Sequence, residues 1–344
     1  MRRDGAPGRR GQDAIPGSRR GGPGAASSRP PTPWFTAPRA CATLRAPGRR
    51  RIMERTVGII GLGIMGGAIA RNLHAEGWRV FGVDPDPSRC AALAADGLRI
   101  LADAAAAARE APLLLSSLPA ASALRATAEA VAGAGLPPRI LVETSTFALE
   151  DKQEAEAVLR AAGHVMLDCP LSGTGAQAAR RDLVVYASGD SEAIGRCAPL
   201  FAGFARATHD LGAFGNGTRM KLVANLLVAI HNLAAAEAMV LAEKAGLDPE
   251  RVFELVRSGA GTSRVFELRA PMMAARRYAP PTMRNALWSK DLAVIGGFAA
   301  ALDCPLPLFS AVLPLHAATL AEGHGEEDTA AVHAVLSRLA GLPR

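Results

Sequence analysis

The sequence predicts an α/β protein, a doubly wound and mostly parallel sheet followed by an all-α C-terminal domain. Three observations predict it. An apolar strand runs into a glycine turn at Val57-Gly-Ile-Ile-Gly-Leu-Gly-Ile-Met-Gly66, short apolar strands then alternate with alanine-rich stretches as far as Asp210, and no convincing strand recurs beyond Gly217. Alternation of this kind produces a parallel sheet covered by helices on both faces, and a later helical run reads as a separate layer.

The elements follow in order. Val57 to Ile60 is the first strand, and Gly61-x-Gly63-x-x-Gly66 opens a helix over Met65 to Ala75 that ends at Gly77. A second strand, Arg79 to Val83, finishes on Asp84. With 35 glycines in the chain a lone triplet is weak evidence, and the strand, turn, helix and acidic strand end around it supply the specificity. In a Rossmann-type dinucleotide site the first glycine permits the tight turn, the second admits the pyrophosphate and the third lets the helix pack on the strand. The helix N-terminus then faces the phosphates, and the carboxylate faces the adenine ribose. Gly61, Leu62, Gly63, Ile64, Met65, Gly66 and Asp84 are therefore the candidate cofactor residues. Further strands are expected at Leu113 to Ser116, Ile140 to Glu143, Val165 to Asp168, Leu183 to Ala187 and Ala207 to Asp210. The first two end in polar loops, Ser116-Ser117-Leu118-Pro119 and Glu143-Thr144-Ser145-Thr146, which the fold class places at the ligand crevice.

From Thr218 to Gly246 the pattern is one long helix. Lys221 and Asn225 on its first turns share a face, within about 6 Å as i and i+4 neighbours. A cation near a helix N-terminus is disfavoured by the dipole, and partial burial lowers its pKa toward the range useful for proton transfer. His231 points about 80° from that face and lies about 15 Å further along, and Asn232 is further still. Both are expected in packing, Asn232 between subunits. The apolar run Leu222 to Ala242 is broken by Asn225, His231, Asn232 and Glu237 and reads as a buried helix rather than a membrane span. Its nearly all-round apolar character predicts cover by a second copy in a homodimer or homotetramer. The glycine-rich loop Asp168-Cys-Pro-Leu-Ser172-Gly173-Thr174-Gly175 follows a strand and offers a hydroxyl and backbone N–H groups to a carboxylate.

Residues 1–51 hold twelve arginines, no lysine, and only Asp4 and Asp13 as acids, a net charge of +10. The whole chain carries +7, so the remainder carries −3. The division expected is a disordered basic tail over 1–52, a dinucleotide-binding domain over 53–216 and an all-helical substrate and oligomerisation domain over 217–344. Met53 directly precedes the first strand, and the tail reads as an upstream extension rather than a targeting peptide or nucleic-acid arm. Nucleic acid and membrane are not expected partners. Five scattered cysteines (41, 90, 169, 197, 304) without a CxxC pair point to reduced thiols and a cytoplasmic location, and no metal cluster is visible. Cys169 lacks an activating partner and is expected to be inert.

Taken together, Gly61 to Gly66, Leu118-Pro119, Ser145-Thr146, Asp168 to Gly173, Gly215-Asn-Gly217, Lys221 to Asn225 and Lys290-Asp291-Leu292 resemble the β-hydroxyacid dehydrogenases, the group of 3-hydroxyisobutyrate, tartronate semialdehyde and L-threonate enzymes. The motifs fall in the family's order over nearly all of residues 55–320. The resemblance implies hydride transfer between a nicotinamide cofactor and a β-hydroxy acid or the matching aldehyde or keto acid. It implies Lys221 as acid/base, Asn225 orienting the substrate, Ser172, Gly173 and Thr174 at its carboxylate, and Leu118, Pro119, Thr146 and Lys290 toward the cofactor. Thr174 stands where the family usually has a third glycine, and Gln177, Arg181 and Asp182 follow it. These departures suggest a narrower pocket, with Arg180 or Arg181 reaching an additional anionic group, and a substrate that is not 3-hydroxyisobutyrate but a more polar or larger β-hydroxy acid. Asp84 followed by Pro85, with Arg89 five residues on, favours NAD and leaves NADP possible. Imine reductases share the architecture but replace the lysine kept here, and decarboxylating 6-phosphogluconate dehydrogenases need a longer helical region. A non-catalytic NAD-bound scaffold or reader with a nucleic-acid-contacting tail would have no need of Lys221, Asn225 and Lys290.

Overall fold

A computed structural model describes residues 55–343. The expected disordered tail, with Cys41, lies outside the described residues. Six strands form a parallel sheet in the order β3-β2-β1-β4-β5-β6: β1 (Thr56–Ile60), β2 (Arg79–Val83), β3 (Arg99–Ile100), β4 (Leu113–Ser116), β5 (Ile140–Glu143) and β6 (Val165–Asp168). The helices between them are α1 (Ile64–Ala75), α2 (Pro87–Ala95), α3 (Ala104–Glu110), α4 (Ala121–Ala132) and α5 (Leu149–Ala161). Strand residues alternate between two cores, as the pleat requires. Val57, Ile59, Leu113 and Leu115 pack with Ile69 and Leu73 of α1. On the opposite face Ile60, Leu114 and Leu141 pack with Leu124 and Ala128 of α4.

After β6 the chain leaves this sheet. Pro170 cannot donate to a ladder, and the next strands form a second, three-stranded sheet: β7 (Leu171–Ser172), antiparallel to β8 (Leu183–Ala187), which is parallel to β9 (Ala205–Asp210). Between them lie α6 (Gly175–Ala179) and α7 (Ser191–Ala202). The predicted fold class holds, with the sheet divided in two and β3 and β7 added to the strands read from the sequence. An isolated bridge from Asp168 to Ser188 ties the two sheets together.

The long helix α8 (Asn216–Lys244) follows, then α9 (Pro249–Arg257), α10 (Arg264–Ala274), α11 (Asn285–Ala301), α12 (Pro307–Ala321), a 3-10 turn at Thr329–Ala331 and α13 (Val332–Leu339). Leu222, Ala229, Leu233, Ala236 and Met239 of α8, spaced at three, four and seven residues, pack with Phe266, Ala270 and Met273 of α10 and Trp288 and Leu292 of α11. Asn232 belongs to this internal packing. Its Nδ2 donates to the Thr329 carbonyl at 2.9 Å, so the subunit contact expected for it is replaced by one within the chain. By length and composition alone α8 would suffice to cross a membrane, yet that buried stripe is part of the helical core. Met220, Val223, Leu227 and Leu241 of α8 remain exposed.

Candidate active site

The turn from β1 into α1 leaves no room for side chains at two glycines. A Cβ on Gly66 would sit 1.9 Å from the Gly61 carbonyl oxygen, and one on Gly61, at φ 92°, would sit 2.2 Å from that of Ser117. Gly63 is different, because a Cβ there meets only Arg89 Nη1, at 3.8 Å. It is the N-cap of α1, offers no side chain to the first-turn N–H groups, and no acidic residue follows in that turn. This helix end presents donors and partial positive charge to an anion, so the residues fit the pyrophosphate of a nicotinamide dinucleotide. Asp84 closes the far side. Its side chain is 2% exposed, and its two oxygens accept Leu62 N at 2.7 Å and Asp86 N at 2.8 Å. Arg89, in the first turn of α2, folds back to Asp84 at 3.5 Å and Asp86 at 3.2 Å. Its sequence separation therefore does not remove it from the ribose end.

Both polar loops border this turn. Ser117 lies against Gly61, Leu118 N donates to Ser145 Oγ at 2.8 Å, and Pro119 is exposed beyond it. The substrate loop meets the turn as well. A Cβ on Gly175 would come within 2.4 Å of Ile64 Cγ2, while Met65 is half-buried behind it. Ser172 ends β7, and Gly173 is exposed at φ 138°. Thr174 caps α6: its hydroxyl accepts Gln177 N at 3.4 Å and its N–H donates to Gln177 Oε1 at 3.0 Å. Arg181 pairs with Glu76 at the C-terminal end of α1. Twelve helical residues, about 18 Å, separate that point from the dinucleotide turn. In this arrangement Arg181 is held at the far end of α1 from the dinucleotide turn, and Arg180 is exposed.

The start of α8 packs directly on the segment that leads into the substrate loop. A Cβ on Gly217 would meet Tyr186 O at 2.4 Å, Asp168 O at 2.6 Å and Pro170 Cδ at 3.0 Å. One turn on, crowding by protein pushes the Lys221 ammonium down to about 8, with Asp291 opposing the shift and the Lys290 and Lys152 charges reinforcing it. Lys221 keeps part of its surface open and makes no hydrogen bond among the described residues. Asn225 is buried and donates to Asp291 Oδ2 at 3.1 Å. Burial raises the Asp291 pKa, and Lys290 and Lys221 act against it. Lys290 reaches from α11 to the sheet region, where its Nζ donates to Thr146 O at 2.6 Å and lies 5.0 Å above the Phe147 ring. The residues singled out in the sequence thus fall into two joined clusters, the dinucleotide turn with its loops and the Lys221–Asn225–Asp291 group. Cys169 is buried, and burial pushes its thiol well up, in keeping with an inert side chain.

Sequence reasoning missed the buried charges beneath these loops. Lys152 Nζ lies 2.8 Å from Asp168 Oδ1 with neither side chain exposed, and Glu143 is fully buried beside them. One signal was available. Lys152 falls on the apolar stripe of α5 with Leu149, Ala155 and Leu159, all buried, a position where a cation needs a partner.

Comparison with known proteins agrees with this geometry. Residues 56–213 match the NAD binding domain of 6-phosphogluconate dehydrogenase, and residues 215–336 match the NAD-binding region of NADP-dependent 3-hydroxyisobutyrate dehydrogenase. L-Threonate dehydrogenase of Escherichia coli K12 is 33% identical over 289 residues, covering 83% of this chain and 95% of its own. The chain belongs to the β-hydroxyacid dehydrogenase family. It is an NAD(P)-dependent oxidoreductase. A 3-hydroxyisobutyrate dehydrogenase structure from Salmonella typhimurium shares 33% identity, with TM-score 0.74, over 81% of this chain and 99% of that one. The 3-hydroxyisobutyrate dehydrogenase of Mycobacterium tuberculosis, solved with L-serine, shares 30% identity, with TM-score 0.75, over 82% and 98%.

Proposed function

We propose that the protein oxidises a small β-hydroxy acid, or reduces the matching aldehyde or keto acid, with Lys221 as general acid/base. The observation that carries this reading is Lys221 itself: a lysine pushed down to about 8, free of hydrogen bonds among the described residues, on a helix whose first turn packs against the substrate loop. In oxidation, neutral Lys221 Nζ takes the hydroxyl proton while the carbinol carbon gives up its hydride, leaving a carbonyl. In reduction the ammonium returns the proton to the carbonyl oxygen. The nicotinamide cofactor, when bound, accepts or supplies the hydride. Asn225, held by Asp291, orients the substrate oxygen, and Ser172 with the Gly173 N–H holds the carboxylate, bordered by Thr174, whose own N–H is taken by Gln177. Leu118, Pro119 and Thr146 line the cofactor, with Lys290 clamping Thr146 from the helical region.

With Arg181 engaged by Glu76, a second substrate anion would have to draw it away or meet the exposed Arg180, and the substrate class proposed is a small monocarboxylate such as 3-hydroxyisobutyrate or L-threonate. NAD is the preferred cofactor in this proposal. The nearly buried Asp84 at the ribose end sets negative charge against a 2′-phosphate, and Arg89 is shared between Asp84 and Asp86. The same proposal places the 53–216 and 217–344 regions as cofactor and substrate domains. It covers the exposed apolar side chains of α8 with a second copy. Cys90, Cys169, Cys197 and Cys304 are free thiols, which supports a cytoplasmic setting.

The test is steady-state NAD reduction against a panel of β-hydroxy acids including 3-hydroxyisobutyrate and L-threonate, with Lys221→Ala as control. The expected result is turnover with at least one of them, lost by about 10²- to 10⁴-fold in the variant while NADH still binds. Full activity in Lys221→Ala, or higher efficiency with NADPH than NADH, would refute the acid/base or the cofactor assignment respectively.

A further inference from the structure

Lys152 is fully buried, on the second turn of α5, and the chemistry proposed above does not use it. Desolvating an ammonium is costly unless it is paired, and an apolar side chain of similar length would fill the same space without that cost. Packing alone therefore does not account for a lysine here. Its partners do something more specific.

Asp168, 2.8 Å from Lys152 Nζ, is the anchor for the start of α8. Its Oδ2 accepts Thr218 N at 2.7 Å and its Oδ1 accepts Thr218 Oγ1 at 2.8 Å. Ser188 Oγ donates to Asp168 Oδ2 at 3.2 Å and accepts Gly217 N at 2.9 Å. Thr218 stands three residues before Lys221. The second carboxylate that feels the Lys152 charge is Glu143. It accepts Ser145 N at 2.7 Å and the Ser116 hydroxyl, and so holds the ends of the two loops that border the dinucleotide turn. One buried cation thus lies between the carboxylate that seats the helix of Lys221 and the carboxylate that seats the cofactor loops.

We propose that Lys152 is a positioning residue: its ion pair with Asp168 holds that carboxylate as a clamp on Thr218 and, through Ser188, on Gly217, and so fixes the first turns of α8 that carry Lys221. This rests on the acid/base reading of Lys221. The ionisable groups facing Lys152 are Asp168 from β6, Cys169 just after it and Glu143 from β5. Those acting on Lys221 are Asp291 and Lys290 from α11 and Lys152 from α5.

The experiment is Lys152→Met in the full chain, measured for kcat, for NADH affinity by fluorescence titration, and for the pH profile of kcat/KM in hydroxy-acid oxidation. A lost clamp misplaces the base, so kcat falls by about 10-fold or more, and by more than NADH affinity does, since Glu143 keeps its own bonds to Ser116 and Ser145. Losing the Lys152 charge, which acts to lower the Lys221 pKa, also moves the acid limb of the profile up. A purely structural role would lower activity without moving that limb. Unchanged kcat and an unmoved limb overturn the proposal. Should Lys152→Met fail to melt cooperatively, Thr218→Val decides, since it leaves the ion pair intact and removes only the hydroxyl anchor. A drop in kcat with NADH affinity kept supports the clamp, and wild-type kcat overturns it. Lys221→Ala run alongside separates the two levels: if it stays active the acid/base reading fails, and if it is dead while Lys152→Met is normal only the clamp fails.

Discussion

The N-termini of α1 and α8 face the same physical problem and solve it in opposite ways. Each leaves first-turn N–H groups without helical partners and carries the positive end of a dipole. At α1 the cap is Gly63, with no side-chain bond and no acid in the first turn, so the donors stay open for a bound anion. At α8 the protein supplies its own anion. Asp168 takes both the N–H and the hydroxyl of Thr218, and Ser188 takes the N–H of Gly217. The open end suits a ligand that must come and go, and the closed end suits a lysine that must not move.

The comparison is broken most severely by giving α1 the cap that α8 has. Gly63 sits in extended backbone with only the Arg89 guanidinium tip near its Cβ position, so Gly63→Asp fits sterically. Its carboxylate caps the free N–H groups and repels the pyrophosphate. NADH affinity should fall by about 100-fold, about 2.8 kcal/mol, while the melting temperature stays the same or rises, since replacing an N-cap Gly by Asp gains a few tenths of a kcal/mol. Gly66→Ala sharpens the point from the other side. A Cβ 1.9 Å from Gly61 O disturbs the turn itself, so binding and about 1–3 kcal/mol of stability go together. Calorimetric titration beside thermal melting separates the two. If Gly63→Asp bound NADH normally, the uncapped end would not be the anion site.

At the α8 end the next effect is read in pH. Lys221 has a folded pKa of about 8 against an ordinary 10.5. As the base in oxidation it must be neutral, so kcat/KM should rise with pH up to about 8 and fall about tenfold per unit below it. The stability consequence has a definite sign. The folded pKa lies below the unfolded one, so between about 8 and 10.5 the unfolded chain binds more protons and stability rises with pH, while below that window the cost of the buried charge is present in full. Lys221→Met should therefore be more stable than the wild type at pH 7, with the gap closing toward pH 10. A mutant that is less stable at pH 7 would show that Lys221 is held by contacts rather than strained by burial.

The two ends also differ in how far they were legible in the sequence. The α1 site is local. Glycines two and three residues apart, a strand before and an acidic strand end after are contiguous in the chain, and so is the i, i+4 pair Lys221 and Asn225. The clamp at α8 is not. Asp168 stands 16 residues from Lys152 and 50 from Thr218, and no periodicity links such partners. Even so, a lysine on the apolar stripe of α5 announced that some buried acid had to exist. The division of the sheet after β6 escaped for a related reason: Leu183 to Ala187 and Ala207 to Asp210 read as strands, but pairing partners are not written in a single strand. The partner of Arg181 was hidden for the same reason. Glu76, which holds it, lies 105 residues away.

The smallest predicted effect tests that last pairing. Arg181 and Glu76 are both about 40% exposed, at 39% and 40% of their side-chain surface, so their pair contributes about 0–1 kcal/mol. Arg181→Ala should leave kcat and KM for a monocarboxylate hydroxy acid within about twofold, and the same for a substrate bearing a second acidic group. Steady-state kinetics on one substrate of each kind makes the comparison. A KM that rises only for the doubly anionic substrate would mean that Arg181 leaves Glu76 when substrate binds, and the substrate loop would then have to swing away from α1 to bring it in.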